Sequence, residues 1–139
     1  RRQRQMCIRD SSYFKGEEWR TQKQVKRLLA EYFTDRPDGI PGNDDTGTMS
    51  TWAIFNMIGF YPDCPGDPYY TLTTPVFDKV VIRLDPDTWG SDKLVIETKR
   101  PSAESLYIRE MELGGKKLSR YRISHEELIK GGTLRFILR

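Results

Sequence analysis

Pro37-Asp38-Gly39-Ile40-Pro41-Gly42-Asn43-Asp44-Asp45-Thr46-Gly47-Thr48-Met49-Ser50-Thr51-Trp52 decides how the first half of this 139-residue chain folds. Its first eleven positions hold two Pro, three Gly, one Asn and three Asp, which leaves no room for regular structure. Upstream, Val25, Leu28, Leu29, Tyr32 and Phe33 fall at i, i+3, i+4, i+7 and i+8. That spacing predicts a helix over 17–34 with one apolar stripe. Glu17 and Glu18 stand at its amino end, where the helix dipole favours negative charge. Arg36-Pro37-Asp38-Gly39 ends it, because Pro disfavours helix before itself and Gly supplies a left-handed turn. Downstream, a second helix is expected from Thr48 to Ile58, closed by Gly59. It is apolar nearly all round, so it needs burial on most sides, more than one neighbouring helix supplies.

After a Pro-rich link over 61–68 the period changes from helical to alternating. Lys79–Leu84 sends Val80, Ile82 and Leu84 to one face, and Lys93–Thr98 does the same with Leu94, Ile96 and Thr98. Ser105–Leu113 and Lys117–Ile123 flank the hairpin signal Gly114-Gly115. Ser124-His125-Glu126-Glu127 matches a capping box opening a short helix that stops at Gly131-Gly132. Thr133–Leu138 is a final strand. Helices first and antiparallel strands after make the expected class α+β.

The formal net charge of +3 comes from 23 basic and 20 acidic residues. Residues 1–10 hold four Arg against one Asp, which accounts for all of it and leaves 19 of each sign in the rest. A balanced body gives no electrostatic case for nucleic acid. No apolar run approaches the roughly 20 residues of a membrane span. The opening Arg-Gln-Arg-Gln-Met-Cys-Ile-Arg-Asp-Ser lacks the apolar core of a signal peptide and resembles a translated adapter sequence. Residues 1–11 are therefore expected to be a non-native extension on a truncated frame, leaving Cys64 as the one native cysteine. One cysteine makes neither an intrachain disulfide nor a zinc site.

Asp44 and Asp45, adjacent between glycines at a helix entrance, admit more than one reading. Asp, Asn, Thr and Ser at such a place accept bonds from free amide groups of the first turn. An EF-hand is excluded, since it needs acids at alternate positions and a Glu at position 12. No phosphate loop, His-Glu-x-x-His or Gly-x-Ser-x-Gly pattern occurs. A glycosidase carboxylate also fits, because glycoside hydrolysis uses two carboxyl groups flanking the scissile bond.

The run resembles the family 92 glycoside hydrolases, calcium-dependent exo-acting α-mannosidases. Trp19-Arg20-Thr21-Gln22 is similar to that family's W-[KR]-T-Q, and Pro37–Trp52 to its PDGxPGNDDxGxMSxW. Gly59-Phe60-Tyr61-Pro62, Pro65-Gly66, Tyr70, Pro75, Phe77, Ser105–Ile108, Gly114-Gly115-Lys116, His125 and Gly131-Gly132 follow at family spacing, so the resemblance covers 12–139. It implies that 12–60 is the end of an (α/α)6 toroid carrying the Gly-Asn-Asp-Asp-Thr-Gly loop, and 61–139 a β-rich C-terminal region. It implies that Asp45 is the general base of an inverting α-mannosidase acting on terminal mannosides of glycans. Asn43, Asp in some members, would assist in orienting the water without carrying charge. Asp44 would be at most a support.

The general acid and most calcium contacts of the family lie upstream, and no residue here matches them. The partners implied are mannose-containing glycans and the missing upstream domains of the same polypeptide, with no nucleic acid and no membrane. The 139 residues alone are expected to be inactive. The family is commonly secreted or periplasmic. The competing reading is a non-catalytic β-rich module that binds carbohydrate or packs on a catalytic domain, and such a module has no use for a base at a helix entrance. Trp19, Trp52, Trp89, Tyr61 and Tyr69 are candidates for stacking on sugar, although core packing accounts for Trp52. His125 is expected to be structural. Thr21 and Gln22 lie either on the surface or in support of the site.

Overall fold

The computed structural model describes residues 16–139, so the basic extension over 1–11 and Cys7 lie outside the described residues. Helix α1 runs Glu18–Tyr32 and buries Val25, Leu28 and Leu29, three of the five stripe residues. It ends where Phe33 turns extended, its N–H still donating to Leu29 O at 3.3 Å. Helix α2 spans Thr48–Ile58 and buries Trp52, Ala53 and Asn56. The two helices share one small core of Val25, Leu28, Leu29, Trp52 and Ala53, with Phe33 stacked on Trp52 at 5.5 Å and 19°. Ile54 is the one apolar residue of α2 left exposed, at 56%.

The rest is β-rich. Strands β1 (Phe60–Tyr61), β2 (Tyr69–Leu72) and β7 (Arg122–Ser124) form a small sheet in the order β1-β2-β7. Strands β3 (Lys79–Arg83), β4 (Lys93–Lys99), β5 (Ile108–Leu113), β6 (Lys116–Leu118) and β8 (Gly132–Leu138) form a larger one in the order β3-β4-β8-β5-β6. Alternation sends Leu94, Ile96, Leu134, Phe136, Leu138, Ile108 and Met111 inward, where they meet Phe60, Leu72 and Ile123 of the small sheet in a second core. Phe55 and Ile58 of α2 pack against that core, so this helix touches both. Short helices α3 (Pro86–Trp89) and α4 (His125–Ile129) close the ends. The capping box at Ser124 and Glu127 is present in both directions.

The mixed class holds, but three expectations need correction. The sheet is not wholly antiparallel, because β4 and β8 pair in parallel from Leu94↔Gly132 to Lys99↔Ile137. The chain leaving β4 makes β5, β6, β7 and α4 before returning, a crossover long enough to bring β8 back in the same direction. The stretch 117–123 is not one strand. It divides between β6 and β7, which belong to different sheets. The strand expected from Ser105 begins at Ile108, because Ser105 N–H closes a turn onto Ser102 O at 3.1 Å. Strand β1 sits where the helical and β-rich stretches were expected to meet and joins them through the small sheet.

Gly59 is the joint between α2 and β1. It holds φ 111°, donates to Phe55 O at 3.0 Å and accepts from Thr73 N–H at 2.9 Å. A Cβ there would lie 2.6 Å from Pro75 Cγ. Gly59→Ala combines a left-handed backbone with this clash and is expected to lose more than about 1 kcal/mol of stability. Urea unfolding followed by circular dichroism checks this, and an unchanged midpoint would show that the joint tolerates a side chain.

Candidate active-site loop

The first turn of a helix has N–H groups without intrahelical partners, and a side chain at the N-cap ordinarily takes one or two of them. The N-cap of α2 is Gly47, which has φ 81° and no side chain. Asp44, three residues earlier, takes that role instead. Its Oδ1 accepts from Met49 N–H at 2.9 Å and Ser50 N–H at 2.8 Å, and its Oδ2 accepts from Ser50 Oγ at 2.6 Å. Its carbonyl also accepts from Thr48 N–H at 2.8 Å.

The backbone must double back for a residue three before the cap to reach the helix. It does so over a 3-10 turn at Asp45–Gly47. Asp45 takes φ 20° and Thr46 φ 60°, both uncommon for residues with a Cβ. Two hydroxyl groups tie the strained turn: Thr46 Oγ1 and Thr48 Oγ1 donate to Asp45 O at 2.5 and 2.7 Å. Strain of this kind in a loop is a reason to look for function there.

The adjacent carboxylates are thus placed differently. Asp44 is half-buried and turned onto the helix, while Asp45 stands exposed at the head of the turn. Asn43 is exposed beside them. The Ser50 hydroxyl, then the Ser50 N–H, hold the Asp44 carboxyl below its ordinary value. Partial burial opposes this, and the Met49 N–H adds to it. The loop can therefore keep one ionised carboxylate as scaffold while the second is exposed to solvent.

Among the described residues no three His, Cys, Asp or Glu side chains come together as a metal site. Asp44 has both oxygens committed to α2. The carboxylates of this loop do not by themselves supply the roughly six to eight oxygens of a calcium cage. Among the described residues no helix is long and apolar enough to cross a membrane.

The other candidates lie elsewhere. Trp52 is in the helical core. Trp19 is exposed and meets Tyr107 edge-on at 6.5 Å, with the Arg20 guanidinium 5.3 Å from its ring centre. Tyr61 meets Phe55 edge-on at 6.3 Å. The Arg122 guanidinium lies 4.8 Å from the ring of Tyr69. Trp89 is exposed on α3 and meets His125 edge-on at 5.6 Å, and His125 Nδ1 hydrogen-bonds Tyr70 Oη at 3.0 Å. His125 thus joins α4 to β2 and α3, a structural position. Thr21 and Gln22 are buried, so the surface reading fails for both.

Because the folded chain holds the Asp44 carboxyl low, its stabilising bonds are fully present above the ordinary aspartate range near 3.9. They are lost as pH falls through the lowered value. Asp44→Asn should lower the unfolding midpoint at neutral pH, and the gap from the parent should close toward strong acid. Urea midpoints across pH check this, and a gap that stays constant would mean that the charge on Asp44 is not what holds the helix.

Comparison with known proteins places this geometry. Residues 12–139 match the glycosyl hydrolase family 92 catalytic domain. A protein described as an uncharacterized secreted glycosidase from Arthroderma benhamiae is 36% identical over 117 residues, which is 84% of this chain and 15% of that protein. The family GH92 α-mannosidase BT3965 from Bacteroides thetaiotaomicron, solved with mannoimidazole, superposes with a TM-score of 0.86 at 28% identity, covering 96% of this chain and 17% of that one. The inverting mannosidase BT2199 from the same organism gives 0.83 at 31% identity, covering 96% and 18%. The chain therefore spans less than one-fifth of the length of these relatives. With a match over 12–139 and a strained, doubly acidic loop at the entrance of α2, the chain belongs to glycosyl hydrolase family 92.

Proposed function

We propose that this chain is the C-terminal part of an inverting α-mannosidase and contributes its general base, Asp45. One observation supports the reading above the others. Of two adjacent carboxylates, Asp44 is half-buried and bonded to the first turn of α2, and Asp45 is exposed to solvent on a strained turn, its carbonyl accepting from the Thr46 and Thr48 hydroxyls. In this account Asp45 takes a proton from water as the water attacks the anomeric carbon of a terminal α-mannoside. Asn43, able to donate and to accept, steadies that water. Asp44 and Ser50 hold the turn. An inverting pair stands roughly 6.5–9.5 Å apart with water and sugar between. The family resemblance implies that the acid, the rest of the toroid and the residues that would hold calcium lie upstream in the full-length polypeptide.

Mannose-containing glycans are the substrates of this reading, and export from the cell goes with the secreted relative. In the competing reading, a module that only binds carbohydrate or packs on a catalytic domain, the strained turn serves only to bring Asp44 onto the first turn of α2.

Two outcomes follow. The purified 139-residue chain should release no mannose from α-mannosides, and measurable release would overturn the division of acid and base. In the full-length polypeptide, Asp45→Asn should lower kcat by orders of magnitude with little change in substrate binding. Steady-state kinetics check this, and near-normal turnover removes Asp45 from the base role.

A further inference from the structure

We infer that Gln22 is a positioning residue, a latch that fixes α1, and through it the helix pair carrying the Asp45 loop, to the β-rich region. The inference rests on the reading of Asp45 as base. It starts from backbone accounting. Every buried N–H and C=O needs a partner. Strand β6 covers β5 only from Met111 to Leu113, so among the described residues the start of β5 has no neighbouring strand on that side. A register shift between Ile108 and Glu110 marks the same place on the β8 side.

The side chain of Gln22, 2% exposed, completes the edge. Ile108 N–H donates to Gln22 Oε1 at 3.0 Å, a contact between residues 86 apart in sequence. Tyr121 Oη donates to Ile108 O at 3.4 Å. Gln22, Tyr121 and both backbone groups of Ile108 thus stand together in a ring. One turn before Gln22, Trp19 meets Tyr107 beside the same strand end.

The ring matters to the loop because of what stands on α1. The helical core and the sheet core are separate clusters bridged by α2, and α1 itself lies only in the helical one. Val25, Leu28 and Leu29 of α1 hold Trp52 and Ala53 of α2, and Asp44 holds the first turn of α2. One path from Ile108 to Asp45 thus runs through one buried amide, two packed helices and one carboxylate, beside the direct packing of Phe55 and Ile58 of α2 on the sheet core. A glutamine suits the junction, because its oxygen accepts from a strand N–H while its nitrogen donates. An apolar residue of equal size would leave Ile108 N–H unpaired.

The test reads positioning separately from bulk stability. Gln22→Leu in the 139-residue chain should speed amide hydrogen exchange at Ile108 and, remotely, at Met49 and Ser50, while Ile123, Leu134 and Phe136 keep their rates. In the full-length polypeptide the same change should lower kcat for an aryl α-mannoside by about 10–100-fold with KM little changed. Gln22→Glu, which keeps an acceptor for Ile108 N–H, should recover part of that loss. If Gln22→Leu fails to fold, Tyr121→Phe opens the same ring with less disturbance and should show the same remote exchange in smaller degree. Exchange that rises only at Ile108, or kcat equal to that of the parent, overturns the latch. Asp45→Asn measured alongside separates the two claims. A dead Asp45→Asn with no remote exchange removes the latch alone, and an active Asp45→Asn with remote exchange removes the base alone.

Discussion

Helix α2 begins on a glycine, and a glycine cannot cap with a side chain. Its free amides still need an acceptor. The chain supplies one by folding Asp44 back across a turn in which Asp45 and Thr46 both take positive φ. The rest of the site follows from this arrangement. Gly47 at the N-cap lets the turn be tight, the tight turn forces two residues with a Cβ into the left-handed region, and threonine hydroxyls on the Asp45 carbonyl hold them there. The outcome separates two neighbouring carboxylates into a fixed one and a presented one. Had Asp45 capped the helix, the exposed acid would sit one residue earlier.

The helix that this loop starts is also the member that joins the two halves. Trp52 and Ala53 belong to the core shared with α1, while Phe55 and Ile58 on the same helix reach the core between the sheets. Gly59 then turns the chain into β1 within one residue. A loop at the entrance of such a helix inherits the rigidity of both cores, which is what a general base needs if its reach to a water molecule is to be held.

Much of this was legible in the sequence where the signal is local. The stripe at Val25, Leu28 and Leu29 gave α1, the glycine at 59 gave the end of α2, and Ser124 with Glu127 gave α4. Alternation gave the inward faces of β3 and β4. What escaped depends on partners distant in the chain. Phe60–Tyr61 is too short to show a period, and the parallel pairing of β4 with β8 leaves no local mark. The split of 117–123 between two sheets is set by which neighbours β2 and β5 offer. In the site, the spacing marked Asp44 and Asp45 together. Which of them turns inward depends on the backbone path through residues 45–47. Gln22 carried a hint in its motif, but its bond to Ile108 joins residues that only the fold brings together.

The account stands or falls on water, activated by Asp45, being the group that attacks the sugar. Its most direct test is the proton NMR spectrum of mannose recorded during the first turnovers of the full-length polypeptide on an α-mannoside, before the anomers equilibrate. Attack by water on the face opposite the leaving group inverts the anomeric centre, so β-mannose should appear first. If α-mannose appears first, the configuration is retained, a carboxylate rather than water attacks the sugar, and the role given to Asp45 is contradicted.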